Sequence, residues 1–385
     1  MRGLRKVAGL LALLAPLVLV SAASSANSHA NYRAVCPGAL AGSAACHAEV
    51  VTDARGNPLA TSSPTGYGPA QFHTAYGLPS TSPVAQTIAI VDAYNDPNAE
   101  SDLATYSSIY GLPPCTTANG CFKKVDQNGG TSYPRADQGW ALEISLDVQT
   151  AHQICQNCNI LLVEAATNSF ANLLAAEDYA AAHATEISNS YGGGESSSDT
   201  SYDSHFNHPG IPITVSSGDG GFGVEYPAAS QYVTAVGGTT LNLNPDNTRA
   251  SETVWSGAGS GCSAYDPKPS WQTDAGCARR TVADVSADAD PNSGASVYDS
   301  YGYHGQKGWF QVGGTSLSAP LIAGVYALAG NGSSTSYGSY PYAHTSSLFD
   351  VVSGSNGGCG SYLCNGGPGY DGPSGLGTPN GTGGF

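Results

Sequence analysis

From residue 64 onward, short apolar runs alternate with stretches whose apolar residues recur at helical spacing. The runs include "TIAIVDAY", "NILLVEAA", "IPITVSSGDGG" and "YVTAVGG", and the helical stretches include "WALEISLDVQTAHQI" and "SFANLLAAEDYAAAHA". Runs apolar at every position suit strands buried on both faces, and their alternation with helices predicts an α/β fold: a doubly wound, mostly parallel sheet with helices on both faces. No linker or repeat divides residues 64–385, so they read as one domain. Gly-, Ser- and Tyr-rich stretches near 193–207 and 331–347 read as loops. Residues 31–63 show no clear periodicity and read as a short N-terminal extension.

The first 30 residues differ in kind. Arg2, Arg5 and Lys6 precede an apolar run from Val7 to Val20 and then small residues, the pattern of a secretory signal peptide. The run contains Pro16 and is shorter than the roughly 20 residues a bilayer span needs, and nothing later is apolar enough to cross a membrane. The protein is therefore expected to be secreted and extracellular. All ten cysteines lie beyond the leader, in near-neighbour pairs: Cys36 with Cys46, Cys115 with Cys121, Cys155 with Cys158, Cys262 with Cys277, and Cys359 with Cys364. Local disulfides fit an oxidising compartment, although spacing alone does not fix connectivity. "CQNC" also admits a redox motif or, with His152, a metal site; a structural clip is favoured, because neither a thioredoxin-like context nor a second ligand cluster accompanies it.

The formal charge is −16, and falls to −19 without the leader, whose only charged residues are Arg2, Arg5 and Lys6. Such a surface disfavours nucleic acid as a partner. Charged residues make up 11% of the chain, against about 25% typically. In acid the carboxylates neutralise and few positive charges remain to repel one another.

Candidate chemistry begins at "VGGTSLSAPLIAGVYALAG", where glycines lead Ser316 into an apolar helix, a setting that suits presentation of a serine nucleophile. None of the nine histidines lies in an HGT-type setting that would supply its base. Carboxylates offer an alternative. Glu143 and Asp147 are four residues apart on one predicted helix, their Cβ atoms about 5–6 Å apart on one face. Alone, such a pair is as easily a solvated helix face. Asp219 in "SSGDGG" follows an apolar strand, where doubly wound sheets bind ligands, although Asp-Gly is also a common turn.

Together, the ExxxD helix, the "SNSYGGGE" strand, the SGD turn and the GTSxSxP serine, in that order, resemble the sedolisins, or serine-carboxyl peptidases, over about residue 64 to the C terminus. The resemblance implies a subtilisin-like fold and an acid-acting endopeptidase. Ser316 would be the nucleophile, Glu143 its base, Asp147 the partner of Glu143 and Asp219 the oxyanion donor; Ser188, Ser190, Tyr191 and Gly192 would line the substrate. Near pH 4 a histidine would be only about 0.3% in its basic form while a glutamate would be roughly a third ionised, so a carboxylate base extends serine chemistry into acid. Asp92, just after the "TIAIV" strand, occupies the place of a subtilisin-type catalytic aspartate; with no histidine motif to complete that triad, it reads as a strand-end structural residue.

The resemblance also implies one structural calcium ion, held by carboxylates of Asp350 and Asp371 and carbonyls of Val351, Gly367 and Gly369. Family members usually begin with a long folded propeptide, whereas here only residues 31–63 separate the leader from the matching region. Partners implied are a peptide or protein substrate, with no membrane and with the protein a monomer. Tripeptidyl release and a non-catalytic calcium-stabilised binding domain remain alternatives. "NGS" at Asn331 and "NGT" at Asn380 fit glycosylation acceptors in a eukaryotic host.

Overall fold

A computed structural model describes residues 31–385, so the expected leader lies outside the described residues. At its centre is an eight-stranded sheet ordered Arg249–Val254, Thr234–Leu243, Ile213–Ser216, Glu186–Asn189, Thr87–Ala93, Asn159–Ala165 and Phe122–Asp126, with Val285–Asp288 also paired to Thr234–Leu243. All these pairings are parallel except that of Thr234–Leu243 with Arg249–Val254. Ile88 to Ala93 and Ile160 to Ala165 are buried at every position, because helices cover both faces. The doubly wound, mostly parallel architecture is thus as expected.

Two helices position the chemistry. Gln138–Ile154 starts at Asp137, whose side chain accepts hydrogen bonds from the N–H groups of Gly139 and Trp140. It is buried from Gly139 to Ile154, polar residues included, so the ExxxD pair faces protein and not water. Thr315–Ala329 is also buried through Leu328. The two helices approach closely: a Cβ on Gly324 would lie 2.6 Å from Ile154. Pro320 has no N–H to offer the Ser316 carbonyl one turn back, and the Ser190 hydroxyl approaches that carbonyl instead, at 3.4 Å.

Residues 31–63 add edges to this body. Glu49–Thr52 and Ala60–Thr61 pair with Gln306–Gly313, Asn31–Ala34 pairs with Glu49–Thr52, and Ala45–Cys46 pairs with Tyr191–Gly194. Strands of two to four residues with distant partners leave little periodic signal. The cysteines are bridged as five near-neighbour disulfides, including Cys155–Cys158 of "CQNC". His152 donates its Nε2–H to the Pro113 carbonyl, 2.9 Å away.

Candidate active site

The serine turn is built around Gly314, whose φ of 91° is left-handed. A side chain there would strike the His47 carbonyl oxygen at 1.9 Å and Asp219 Oδ2 at 2.5 Å. Thr315 secures the turn to the SGD loop: its N–H and its hydroxyl each donate to Asp219 Oδ1 at 2.8 Å, and its Oγ1 accepts from the Gly218 N–H at 3.2 Å. Asp219 Oδ2 has no partner. Burial pushes the Asp219 carboxyl up to about 6, and neighbouring Glu225 adds to that rise against the pull of His47 and Thr315. In acid Asp219 is therefore protonated, and its free oxygen is a donor aimed where the Ser316 N–H also points.

Ser316, fully buried, directs its hydroxyl toward the Ser190 carbonyl at 3.2 Å. Glu143 adjoins that hydroxyl and Asp147 adjoins Ser190, both acids fully buried. Burial pushes Glu143 far above the usual carboxylate range, Asp147 and Asp92 push it further, and the adjoining Ser316 hydroxyl opposes the rise. Asp147 is raised by burial and opposed by Ser190. The oxygens of Asp92, Glu143 and Asp147 have no other protein donors. Three ionised carboxylates in this dry pocket would repel strongly, so they hold shared protons and titrate as a unit. Asp92 departs here from a merely structural strand end: its carboxyl packs toward Asp147 and is raised by burial first, then by that neighbour.

The substrate-lining candidates divide. Gly192 borders a cleft of about 540 Å³ and Ser190 is buried against Ser316, whereas Ser188 lies within the parallel sheet, in register with Ile90 and Thr214. Tyr191 is also turned inward, donating its hydroxyl to Asn189 at 2.8 Å. Spacing did not single out Glu225 or Ser216, which form a polar recess in the cleft, nor His47, whose Nδ1 meets Ser216 Oγ at 2.7 Å and whose Nε2 meets Glu225 at 3.0 Å. Glu225 shares the Gly-rich loop of Asp219, the only signal that could have flagged it. With its ring engaged there, His47 does not serve Ser316 as a base.

In the C-terminal region two carboxylates converge on one turn. Gly369 N–H donates to Asp350 at 2.9 Å and Gly367 N–H to Asp371 at 3.0 Å, while Val351 is buried beside them. Burial, together with the nearby Asp350 charge, pushes Asp371 up to about 6. Two carboxylates held on one turn offer the hard oxygen donors that a cation such as calcium takes.

A serine at a buried helix start, with carboxylic acids as its polar neighbours and a parallel doubly wound sheet beneath it, defines a subtilisin-like peptidase scaffold. The chain belongs to the subtilase family, whose model matches residues 127–337. It is similar to sedolisin of Pseudomonas sp. (strain 101), 29% identical over 365 residues covering 83% of this chain and 61% of that protein. It is also 29% identical to kumamolisin of Bacillus sp. (strain MN-32), over 303 residues covering 69% of this chain and 52% of that protein. The chain thus spans between half and two thirds of the length of these curated relatives. Among solved structures, Pseudomonas sedolisin (serine-carboxyl proteinase), complexed with two molecules of pseudo-iodotyrostatin, matches with a TM-score of 0.70 at 29% identity, covering 83% of this chain and 96% of that one. The resemblance drawn from four motifs is borne out.

Proposed function

We propose that this protein is a secreted, acid-acting serine-carboxyl endopeptidase. The observation that carries the reading is the convergence of the Ser316 N–H and the unpartnered Asp219 Oδ2 on one point beside a serine whose acidic neighbours are Glu143 and Asp147. Ser316 Oγ attacks the substrate carbonyl and passes its proton to Glu143. Asp147, sharing a proton with Glu143, holds that carboxylate in place and spreads its charge, with Asp92 behind. The developing oxyanion accepts hydrogen bonds from Ser316 N–H and protonated Asp219. Glu143 then protonates the departing amine, and water hydrolyses the Ser316 ester by the reverse proton path. Five disulfides and the leader pattern support secretion, and among the described residues no helix is long and apolar enough to cross a membrane. Calcium, held by Asp350 and Asp371 with carbonyls of Val351, Gly367 and Gly369, would supply charge neutralisation that pins the C-terminal turn. Hydrolysis of a denatured protein between about pH 2 and 7, compared with Ser316→Ala, tests the proposal; an optimum at neutral or alkaline pH, or cleavage undiminished in the variant, sinks it.

A further inference from the structure

Three further carboxylates converge from three separate elements. Glu195 follows directly on the Tyr191–Gly194 strand, Asp199 opens the short helical turn Asp199–Tyr202, and Asp266 comes from the loop between the Gly261–Cys262 and Thr281–Val282 strands. One oxygen of each lies within 4.8 Å of those of the other two. Glu195 accepts from the Ser263 hydroxyl and the Ala264 N–H, and Asp199 accepts from the hydroxyl and N–H of Ser196, which leaves a lone pair free on each of these oxygens. Asp266 stands apart. It is fully buried, and neither of its oxygens meets a protein donor. Behind it Asp203 accepts from the Tyr226 hydroxyl at 3.3 Å and lies with its carboxyl against that of Asp266. Among the described residues none of these four acids is in an ion pair. Burial, then Asp203, Asp199 and Glu195, push the Asp266 carboxyl up to about 8, as expected of acids gathered without a counter-charge.

We infer that Glu195, Asp199 and Asp266 together hold a divalent cation, calcium by its chemistry, at a site that shares no ligand with the C-terminal turn. Buried carboxylates are paired, hydrogen-bonded or bound to a metal, and Asp266 has no partner within the protein. A proton shared with Asp203 would satisfy one of its oxygens, but would give Glu195 and Asp199 no reason to turn toward the same point. The donors are all carboxylate oxygens, with no nitrogen or sulfur among them, and such a set selects a hard cation over zinc or copper. Oxygens opposed across one calcium ion stand about 4.6–5.2 Å apart, twice the metal–oxygen distance, so donors gathered within 4.8 Å can share one ion without backbone movement. Calcium also accepts an irregular shell completed by water, whereas magnesium demands a near-ideal octahedron. Entry is through Glu195, which is half-exposed while Asp199 and Asp266 are buried. The ion has a structural consequence. Glu195 ends the strand whose Gly192 and Gly193 border the cleft, and Asp266 belongs to the loop closed by Cys262–Cys277, so the bound cation ties the cleft's edge to that loop.

The test uses the full chain at neutral pH, stripped with a chelator, freed of it and titrated with calcium in a calorimeter while the thermal midpoint is followed. The wild type should take up two ions. Asp371→Asn, which disables the C-terminal turn, should still take up one and show a midpoint that rises with calcium concentration. Adding Asp266→Asn to that variant should abolish the remaining uptake while circular dichroism stays native. Glu195→Gln, at a half-exposed position that puts folding at little risk, should weaken the same uptake at least tenfold in the Asp371→Asn background. Asp371→Asn protein that takes up no calcium overturns the inference: the acids are then satisfied by shared protons alone, and the peptidase reading is untouched. Uptake that persists undiminished after both Asp266→Asn and Glu195→Gln places the second ion elsewhere and overturns it as well.

Discussion

Asp219 does two jobs with two oxygens. Oδ1 ties down the serine turn through Thr315, and Oδ2 is left for the oxyanion. An ionised carboxylate would repel that charge, so the residue must be protonated to help, and its pKa of about 6 sets the ceiling. Activity should therefore fall as pH rises through about 6. Asp219→Ala should lower kcat by about 10²–10³-fold at pH 4, the usual effect of losing one oxyanion donor. Asp219→Asn, whose amide donates at every pH, should retain more activity than Asp219→Ala and move the descending limb of the kcat profile to higher pH. A limb that stays in place in Asp219→Asn would assign the ceiling to the Glu143–Asp147–Asp92 cluster instead.

At the scale of elements, two helices set the separation of acid and nucleophile, and their contact has little slack. With Gly324 facing Ile154 at the distance noted above, Gly324→Ala should cost about 1–3 kcal/mol through overpacking and also lower kcat, because the strain falls between the Glu143 helix and the Ser316 helix; unchanged thermal midpoint and kcat would show that the helices can separate freely. The C-terminal turn gives a second prediction. Chelation of calcium should lower the thermal midpoint in the wild type, and Asp371→Asn should reduce that difference, whereas a midpoint insensitive to chelator would remove calcium from the account. These elements were also the legible ones. Runs buried on both faces announced the parallel sheet, and the order of ExxxD, SGD and GTS marked Glu143, Asp147, Asp219 and Ser316. The short N-terminal strands were not legible, because Ala45–Cys46 and Glu49–Thr52 are too short for periodicity and their partners lie far along the chain. Asp92 was legible as a strand end, but its proximity to Asp147 depends on how a helix crosses the sheet, which no local pattern encodes. Ser188 illustrates the converse, since it lies within the Glu186–Asn189 strand, whereas Ser190 lies just past its end, where its carbonyl meets the Ser316 hydroxyl.

Over the whole molecule, buried acids turn a local feature of the site into a property of stability. Beyond Asp92, Glu143 and Asp147, burial pushes Glu177 up to about 8, Glu186 up to about 7 and Asp288 well above the usual range, in each case chiefly by desolvation. A carboxyl whose folded pKa exceeds its unfolded value keeps its proton longer in the folded state. Folding is then favoured at low pH, and that contribution is lost as pH rises from about 4 through the folded pKa values. His47, raised on balance by Glu225 against the effect of burial, acts in the same direction. Glu225 opposes it: burial raises this carboxyl, but the His47 charge and hydrogen bond leave it lowered, so its contribution fades in acid. The raised groups outnumber it, and each pKa unit corresponds to about 1.4 kcal/mol. Their sum is on the order of several kcal/mol, comparable to the whole stability of a typical domain. With only 13 Lys and Arg in the chain, acid adds little charge repulsion to offset that gain. The urea midpoint of Ser316→Ala, chosen so that self-digestion does not intrude, should therefore be higher at pH 4 than at pH 7.5, with most of the decline between about pH 5 and 7.5. A midpoint that is flat or rises toward neutral pH would mean that these buried acids are ionised and paired in the folded chain, and would remove the protonated cluster on which the acid mechanism depends.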